Sequence, residues 1–166
     1  MIPRWHAEPL AQSHELETFS CGHPALDNWL RTFARRANQQ NTARTYVWAE
    51  GDGTIAAYYS IAPTAIRKEG LPRSATGGAS LIPAYLLARL ALREDLHGQG
   101  LGTFLLLNAV ETICAAGRIG SGRLIVVDAL DETALAFYQA HGFRQLPGTL
   151  RAYIPLKTAE QLLAGN

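Results

Sequence analysis

The chain has 166 residues, a mass of 18.0 kDa and a formal net charge of +1, which suits one folded domain over 1–166. With 48% hydrophobic and 17% charged residues, the composition excludes intrinsic disorder, and no uninterrupted apolar run approaches the ~18 residues of a membrane span. The amino terminus lacks the apolar core of a secretory signal. Two cysteines, Cys21 and Cys114, make no disulfide framework, so we expect a cytoplasmic protein with no membrane partner.

The cations are biased towards arginine, which supplies thirteen of the fifteen, with Lys68 and Lys157 as the two lysines. A near-neutral chain is not coated with phosphate contacts. Arginine nevertheless pairs with phosphates in two-point geometry, so a local basic patch is one explanation. The other explanation for the arginine bias is a G+C-rich genome, which favours arginine over lysine.

Elements of the first half are marked by periodicity and turn residues. Apolar residues at helical spacing follow Pro24 and predict a helix. The segments TYVWAE (45–50) and TIAAYYSIAP (54–63) predict two strands joined by a GDG turn (51–53). The Gly-, Ser- and Pro-rich segment 67–80 predicts a loop.

The second half alternates strands and helices. We predict a central strand over 83–92, a helix from about 100 to 116 ended by GRIGSG (117–122), a strand over 123–130, a helix over 133–141, a strand over 151–156 and a short C-terminal helix. The order β-β-β-α-β-α-β is that of an α/β protein with a mixed sheet.

A glycine-rich turn between strand and helix, HGQGLG (97–102), predicts an anion site, because amides at a helix start are unpaired and the helix dipole is positive there. A P-loop is excluded, since no lysine occurs between 69 and 156. A dinucleotide fold is a weaker alternative: the third glycine of its fingerprint is missing, although Asp128 could contact a ribose. The third candidate is a cradle for the pyrophosphate of coenzyme A.

HGQGLG resembles the acetyl-CoA loop of the GNAT N-acetyltransferases, with His97 where that family has Gln or Arg. AFYQAHGF (136–143) resembles the family's second landmark, a helix with Phe-Tyr that ends in Gly-Phe. The resemblance implies a GNAT fold, with a mixed, mostly antiparallel sheet, splayed central strands and flanking helices.

FSCGHPALDNWLRTFA (19–34), ARTYVWAE (43–50) and IAAYYSIAP (55–63) resemble the toxin branch of this superfamily, from type II toxin–antitoxin pairs. That resemblance implies transfer of acetyl from acetyl-CoA to the α-amino group of aminoacyl-tRNA, which blocks translation. It also implies a ribbon-helix-helix antitoxin as partner, contact with DNA only through that antitoxin, and a homodimer.

The resemblance also assigns the site, with acetyl-CoA as acetyl donor and no metal. Free amides of the central strand would bind the pantetheine arm and loop amides the pyrophosphate; the positions are Leu90, Ala91 and Leu92, then His97, Gly98, Gln99, Gly100, Leu101, Gly102 and Thr103. Tyr138 would be the general acid for the thiolate, with a core tyrosine as the structural alternative. The candidate tRNA-binding residues are Arg31, Arg35, Arg36, Arg89 and Arg93, with ordinary solvated arginines as the alternative.

Two other functions stay open at this stage. One is a GNAT enzyme acting on a small amine or a protein N-terminus, and the other is a non-catalytic regulator that binds coenzyme A. A nucleophile made from Cys21 and His23 is disfavoured, because two residues so close in a turn cannot readily face each other.

Overall fold

The computed structural model describes residues 3–165. Its elements in chain order are β1 (Ala7–Pro9), α1 (Pro24–Thr32), α2 (Ala34–Gln39), β2 (Arg44–Ala49), β3 (Ile55–Arg67), α3 (Arg73–Thr76), β4 (Leu81–Leu92), α4 (Leu101–Gly120), β5 (Leu124–Asp128), α5 (Glu132–Ala140), β6 (Arg144–Gln145), β7 (Arg151–Pro155) and α6 (Leu156–Ala164). The strands form one sheet in the order β1-β2-β3-β4-β5-β7-β6. This is the mixed α/β architecture that the sequence predicts.

Contacts divide the chain into two compact units, each made of two separate stretches. The first unit comprises the chain up to Ala62 together with Arg89–Ala109, and the second comprises Pro63–Ala88 together with the chain from Val110 onwards. The elements β3, β4 and α4 therefore each contribute residues to both units.

In the first unit, β2 lies antiparallel to both β1 and β3, with Tyr46 opposite Tyr59 in the β2–β3 ladder. Helix α1 has proline at its first position and buries Leu26 and Leu30 in a core cluster with Tyr58. The Tyr58 hydroxyl donates a hydrogen bond of 2.7 Å to the carbonyl oxygen of Leu26. Burial and a satisfied polar group together hold α1 against β3.

In the second unit, β5 lies between a parallel and an antiparallel neighbour. It pairs parallel to β4 over Ala84–Leu87, and it pairs antiparallel to β7, which is also antiparallel to β6. Strand β5 is a run of buried aliphatic residues, as expected for a central strand covered on both faces.

Several predicted boundaries are confirmed. The 51–53 turn joins β2 and β3, Asp131 caps α5 by accepting the N–H of Ala134 at 2.8 Å, and Gly142 ends that helix with φ of 93°.

Other predictions were wrong. The predicted loop over 67–80 contains the one-turn helix α3, and the short strands β1 and β6 had no counterpart in the predicted set. Helix α4 continues through Gly117 to Gly120, although GRIGSG was predicted to end it. The chain leaves the helix only at Ser121 and Gly122, both of which have positive φ.

Within residues 3–165, α4 alone is long and apolar enough, by length and composition, to cross a membrane. Leu105, Ala109 and Ile113 on this helix are buried in the protein. Core helices of other proteins have the same composition, so this finding by itself indicates no membrane contact.

Candidate active site

The glycine loop presents bare backbone at the start of α4. Gly98 and Gly100 have φ of 76° and 78°, and no atom lies within 4 Å of the position that a Cβ would take at either. A side chain at these positions would be strained. The first turn of α4 contains no acidic residue to oppose the positive end of the helix dipole.

The two polar side chains of the loop are turned back towards the protein. The Nε2 of His97 donates a hydrogen bond of 2.6 Å to the carbonyl oxygen of Leu92, and the Nε2 of Gln99 donates one of 3.2 Å to that of Asp95. Each bond ties the loop to the segment that precedes it. Their effect is to fix the loop relative to that segment.

Strand β4 continues beyond its paired register. Among the described residues, the β4–β5 ladder ends at Leu87, whereas the strand itself ends at Leu92. Leu90 and Leu92 are half-buried and Ala91 is buried. This early end of the ladder is what free amides for a pantetheine arm require.

Helix α4 is anchored beside the loop by an asparagine. The Trp48 Nε1 donates to Asn108 Oδ1 at 2.8 Å, and the Tyr59 hydroxyl donates to the Asn108 carbonyl oxygen at 3.4 Å. Trp48 and Tyr59 are fully buried. The helix start is thereby held rigidly relative to β2 and β3 within the first unit.

Tyr138 lies in the second unit, on α5, and is buried. Its ring packs edge-on or tilted against Phe137 and Phe143, with centroids 5.4 and 5.5 Å away. Burial raises the pKa of the Tyr138 phenol. The phenol is therefore protonated at physiological pH, as the predicted role of proton donor requires.

The dinucleotide alternative fails on this structure. Asp128 is held in a two-point ion pair with Arg151, with N–O distances of 2.7 and 2.9 Å, rather than free for a ribose. The mostly antiparallel sheet is also unlike the parallel, doubly wound sheet that such cofactors require.

Cys21 cannot serve as a nucleophile at physiological pH. Burial, with a smaller contribution from the hydrogen bond with Asp27, raises the pKa of its thiol to about 12. Its sulfur contacts the main-chain oxygen of His23, at 3.7 Å, and not the imidazole. Within residues 3–165, no group of three or more His, Cys, Asp or Glu residues could hold a metal ion.

The five predicted acceptor-side arginines have different surroundings. Arg31 and Arg35 donate to main-chain oxygens of Phe19 and His14 at 3.0 and 2.5 Å, and the Nε of Arg35 is buried without a described partner. Arg93 forms ion pairs with Glu50 and Asp95.

Arg36 and Arg89 differ from those three. Their side chains have no carboxylate or main-chain oxygen partner among the described residues. Arg89 is half-buried, with its guanidinium carbon 4.0 Å from the centroid of the Trp29 ring, and burial lowers its pKa. A half-buried, unneutralised cation is a favourable place for an anionic ligand.

Sequence reasoning missed Asn108, which belongs to no motif. The residue is one of many polar residues on a helix, and its importance comes from two aromatic side chains far away in sequence. An apolar helix with a polar residue on its buried face is a signal that could have indicated an anchored position.

The fold and the bare-backbone loop define an acyl-CoA type of transferase, and comparison with known families agrees. The Acetyltransferase (GNAT) domain matches residues 42–145, more than half of the chain. This chain belongs to the GNAT acetyltransferase family.

Two curated relatives are similar over almost the whole chain. A "tRNA-acetylating toxin" of Mycobacterium tuberculosis is 32% identical over 157 residues, covering 93% of each chain. A "Probable toxin TacT" of Sinorhizobium fredii is 30% identical and covers 94% of this chain and 93% of the relative.

Solved structures of toxins share the fold. A tyrosine-to-phenylalanine mutant of KacT superposes with a TM-score of 0.90 at 27% identity, covering 96% of this chain and 99% of that one. AtaT complexed with acetyl-methionyl-tRNAfMet has a TM-score of 0.87 at 27% identity, covering 95% of this chain and 98% of that one. A tyrosine-to-phenylalanine mutant of AtaT, bound to acetyl-CoA and to the C-terminus of the antitoxin AtaR, has a TM-score of 0.83 at 26% identity, covering 96% of this chain and 98% of that one.

Proposed function

We propose that this protein transfers the acetyl group of acetyl-CoA to the α-amino group of an aminoacyl-tRNA and thereby inhibits translation. The single observation that carries the proposal is the glycine loop, where Gly98 and Gly100 leave main chain exposed at a helix start with no acidic residue in its first turn, in a chain of the GNAT family. The similarity of the chain to tRNA-acetylating toxins supports the choice of acceptor.

The donor would be held entirely by main-chain groups of the first unit. Amides of Leu90–Leu92, beyond the β4–β5 ladder, would pair with the pantetheine arm. Amides of the loop from Gly98 to Thr103 would bind the pyrophosphate, with His97 and Gln99 fixing the loop from behind. Holding both reactants in place can lower the barrier by roughly 7–11 kcal/mol, which makes positioning the largest contribution.

Tyr138 would donate its phenolic proton to the sulfur of the departing thiolate. The C–S bond of the thioester breaks as the new C–N bond forms, and the electron pair of the broken bond leaves on sulfur. A phenol kept neutral by burial has its proton at the moment of departure.

The amine needs little assistance from the protein. A free α-amino group has a pKa of about 7.7–8.0, so a substantial fraction is neutral at physiological pH. Water or a main-chain oxygen can take the remaining proton, which agrees with a mechanism that assigns no general base.

Arg36 and Arg89 are the strongest candidates for acceptor contacts among the five arginines. Their side chains have no carboxylate partner among the described residues, whereas Arg93 is paired and Arg31 and Arg35 bind main-chain oxygens. We propose that all five lie on the acceptor side, with Arg31, Arg35 and Arg93 contributing mainly by holding that surface in shape.

The proposal extends to partners and location. We propose one catalytic domain over 1–166 that forms a homodimer, acts in the cytoplasm on charged tRNA, and is neutralised by a ribbon-helix-helix antitoxin that alone contacts DNA. Antitoxin and DNA complexes of structurally similar toxins support this assignment.

The test is an acceptor assay with radiolabelled acetyl-CoA. Purified protein is incubated with charged tRNA, with the same tRNA after deacylation, and with a polyamine and a peptide. Label transferred only to charged tRNA is the expected result. Label in the polyamine or peptide alone would indicate an ordinary GNAT enzyme, and acetyl-CoA binding without any transfer would indicate a regulator; either result contradicts the proposal.

A further inference from the structure

A cavity of about 620 Å³ lies in the second unit, where α4 ends and α6 begins. Among the described residues, its lining includes four cationic side chains and one carboxylate, that of Glu160; the cations are Arg118, Arg123, Arg144 and Lys157. The whole chain carries a formal charge of only +1. The positive charge of the cavity is therefore a local concentration and not a general property of the surface.

Two of the four cations are already engaged. Arg123 donates from Nε to the carbonyl oxygen of Ala75 at 3.1 Å and from its terminal nitrogen to that of Ser74 at 3.4 Å. Arg118 lies 3.4 Å from Glu160, in a pair whose side chains are 62% and 45% exposed. Such an exposed pair is weak and can open for a ligand.

Arg144 and Lys157 have no carboxylate within ion-pair distance in the part of the chain that the structure describes. They come from different elements, Arg144 from β6 and Lys157 from α6. Two like charges on the walls of one cavity, without a carboxylate of their own, favour an anion between them.

The first turn of α6 adds donors to the same cavity. Its N-cap residue, Pro155, provides no side-chain cap, and the first turn contains no acidic residue. Lys157 and Thr158 of this turn line the cavity. The N–H of Leu156 donates to the carbonyl oxygen of Arg123 at 2.9 Å. The later N–H groups of this first turn, together with the positive helix dipole, are what suit a phosphate.

We propose that this cavity binds a backbone phosphate of the tRNA acceptor, using none of the residues of the glycine loop. The volume is far larger than one small ion needs and lies within the roughly 300–1,000 Å³ of pockets that take small-molecule ligands. Guanidinium groups bind phosphate oxygens in two-point geometry, and amides at a helix start also bind phosphate. This inference rests on the proposed function, which supplies the tRNA.

The experiment measures binding of uncharged tRNA by fluorescence anisotropy between about 50 and 200 mM salt. Over this range the affinity of a protein that contacts phosphates falls steeply with salt. The variants are the double change Arg144→Ala with Lys157→Ala, the change Glu160→Gln, and a matched control, Arg67→Ala, at an exposed position outside the cavity. Acetyl-CoA binding, measured by calorimetry, reports that each variant is folded.

We expect the double variant to bind tRNA at least about tenfold more weakly and to lower the slope of log K against log salt by about 1, because one phosphate contact is lost. Glu160→Gln should bind tRNA more tightly, since it removes the carboxylate that, among the described residues, lines the cavity. A misfolded variant cannot give that gain. Arg67→Ala should match the wild type.

Equal tRNA affinity and salt slope in the double variant and the wild type would overturn the assignment. The assignment would also be overturned if the double variant lost binding to a synthetic acidic peptide but still bound tRNA, because the cavity would then be a protein-docking site. A third contrary result would be that free AMP binds in the cavity without displacing tRNA. If the wild-type protein binds no tRNA, the proposed function fails. If the wild type and the double variant bind and acetylate charged tRNA equally well, only the assignment of the cavity fails.

Discussion

Two side chains of the glycine loop, His97 and Gln99, donate hydrogen bonds to main-chain oxygens of the segment that precedes the loop. The acceptors are the carbonyl oxygens of Leu92 and Asp95. His97 stands where the resembling family has Gln or Arg, and its bond requires only a hydrogen-bond donor at this position. We therefore predict that the departure from the family motif leaves the proposed binding of pyrophosphate by loop amides intact.

A residue-scale prediction concerns Tyr138→Phe. The change removes only the hydroxyl, and the ring contacts with Phe137 and Phe143 persist. We expect turnover with charged tRNA to fall at least about tenfold, because a placed general acid contributes roughly 10²–10⁴-fold, while the Kd for acetyl-CoA stays near the wild-type value. Single-turnover kinetics and calorimetry measure the two quantities.

Tyr46→Phe is the matched control for that variant, because it removes a phenolic hydroxyl from a half-buried tyrosine on β2. Its turnover should match the wild type. Full turnover in Tyr138→Phe would exclude the phenol from the mechanism.

Elements with local signals could be predicted from the sequence, and elements that depend on distant partners could not. The β2–β3 hairpin follows from its GDG turn, and α5 follows from the Asp131 cap and the Gly142 terminus. Strands β1 and β6 have three and two residues, and only pairing with β2 and β7 defines them. No short segment carries the information for such pairing.

The same distinction applies to the sites. The glycine loop and Tyr138 belong to short motifs, so both could be predicted from single segments of the sequence. Arg118 and Arg123 belong to one segment, Arg144 and Lys157 belong to two others, and the fold alone brings the four residues to one cavity. No pattern in the sequence predicts that these four residues lie close together.

Gly117 shows why the end of α4 was misplaced. A Cβ at this position would lie 2.3 Å from Cδ2 of Leu156, so the glycine permits close packing against α6 rather than ending the helix. The packing outweighs the propensity cost of glycine in a helix, about 1 kcal/mol.

An element-scale prediction compares Gly117→Ala with Gly120→Ala. The first should lower the free energy of unfolding by about 1–3 kcal/mol, because overpacking against buried Leu156 exceeds the gain in helix propensity. The second has its nearest neighbour, the Tyr85 hydroxyl, at 3.7 Å and should be neutral or stabilising by up to about 1 kcal/mol. Urea titration measures both, and effects of the same sign would refute this explanation.

At the scale of the whole molecule, stability in acid depends in part on Glu50. The Trp5 Nε1 donates to its carboxylate at 2.6 Å, and Arg4 and Arg93 are paired with it. The hydrogen bond from Trp5, followed by Arg4, lowers the pKa of Glu50 below its ordinary value of 4.5. A carboxylate with a lowered pKa in the folded state stabilises the protein above its unfolded pKa, and that stabilisation is lost as the pH falls through the folded value.

We expect Glu50→Gln to lower the free energy of unfolding by about 1 kcal/mol at pH 7, a value reduced for the partial exposure of the carboxylate. The difference from the wild type should disappear as the pH falls well below 4.5. Denaturant titrations across the acid range measure this dependence. Glu111→Gln, at an exposed position on α4, is the control and should show no such trend; a Glu50 difference that persists in acid would contradict the prediction.

The interleaving of the two compact units has a consequence for biosynthesis. The first unit needs Arg89–Ala109 as well as the stretch up to Ala62, and the second needs β7 and α6 as well as Pro63–Ala88. A nascent chain therefore cannot complete either unit from one continuous stretch, and a product released after α4 would lack Tyr138 altogether. An enzyme proposed to disable charged tRNA would in this way stay inactive until α6 has been synthesised.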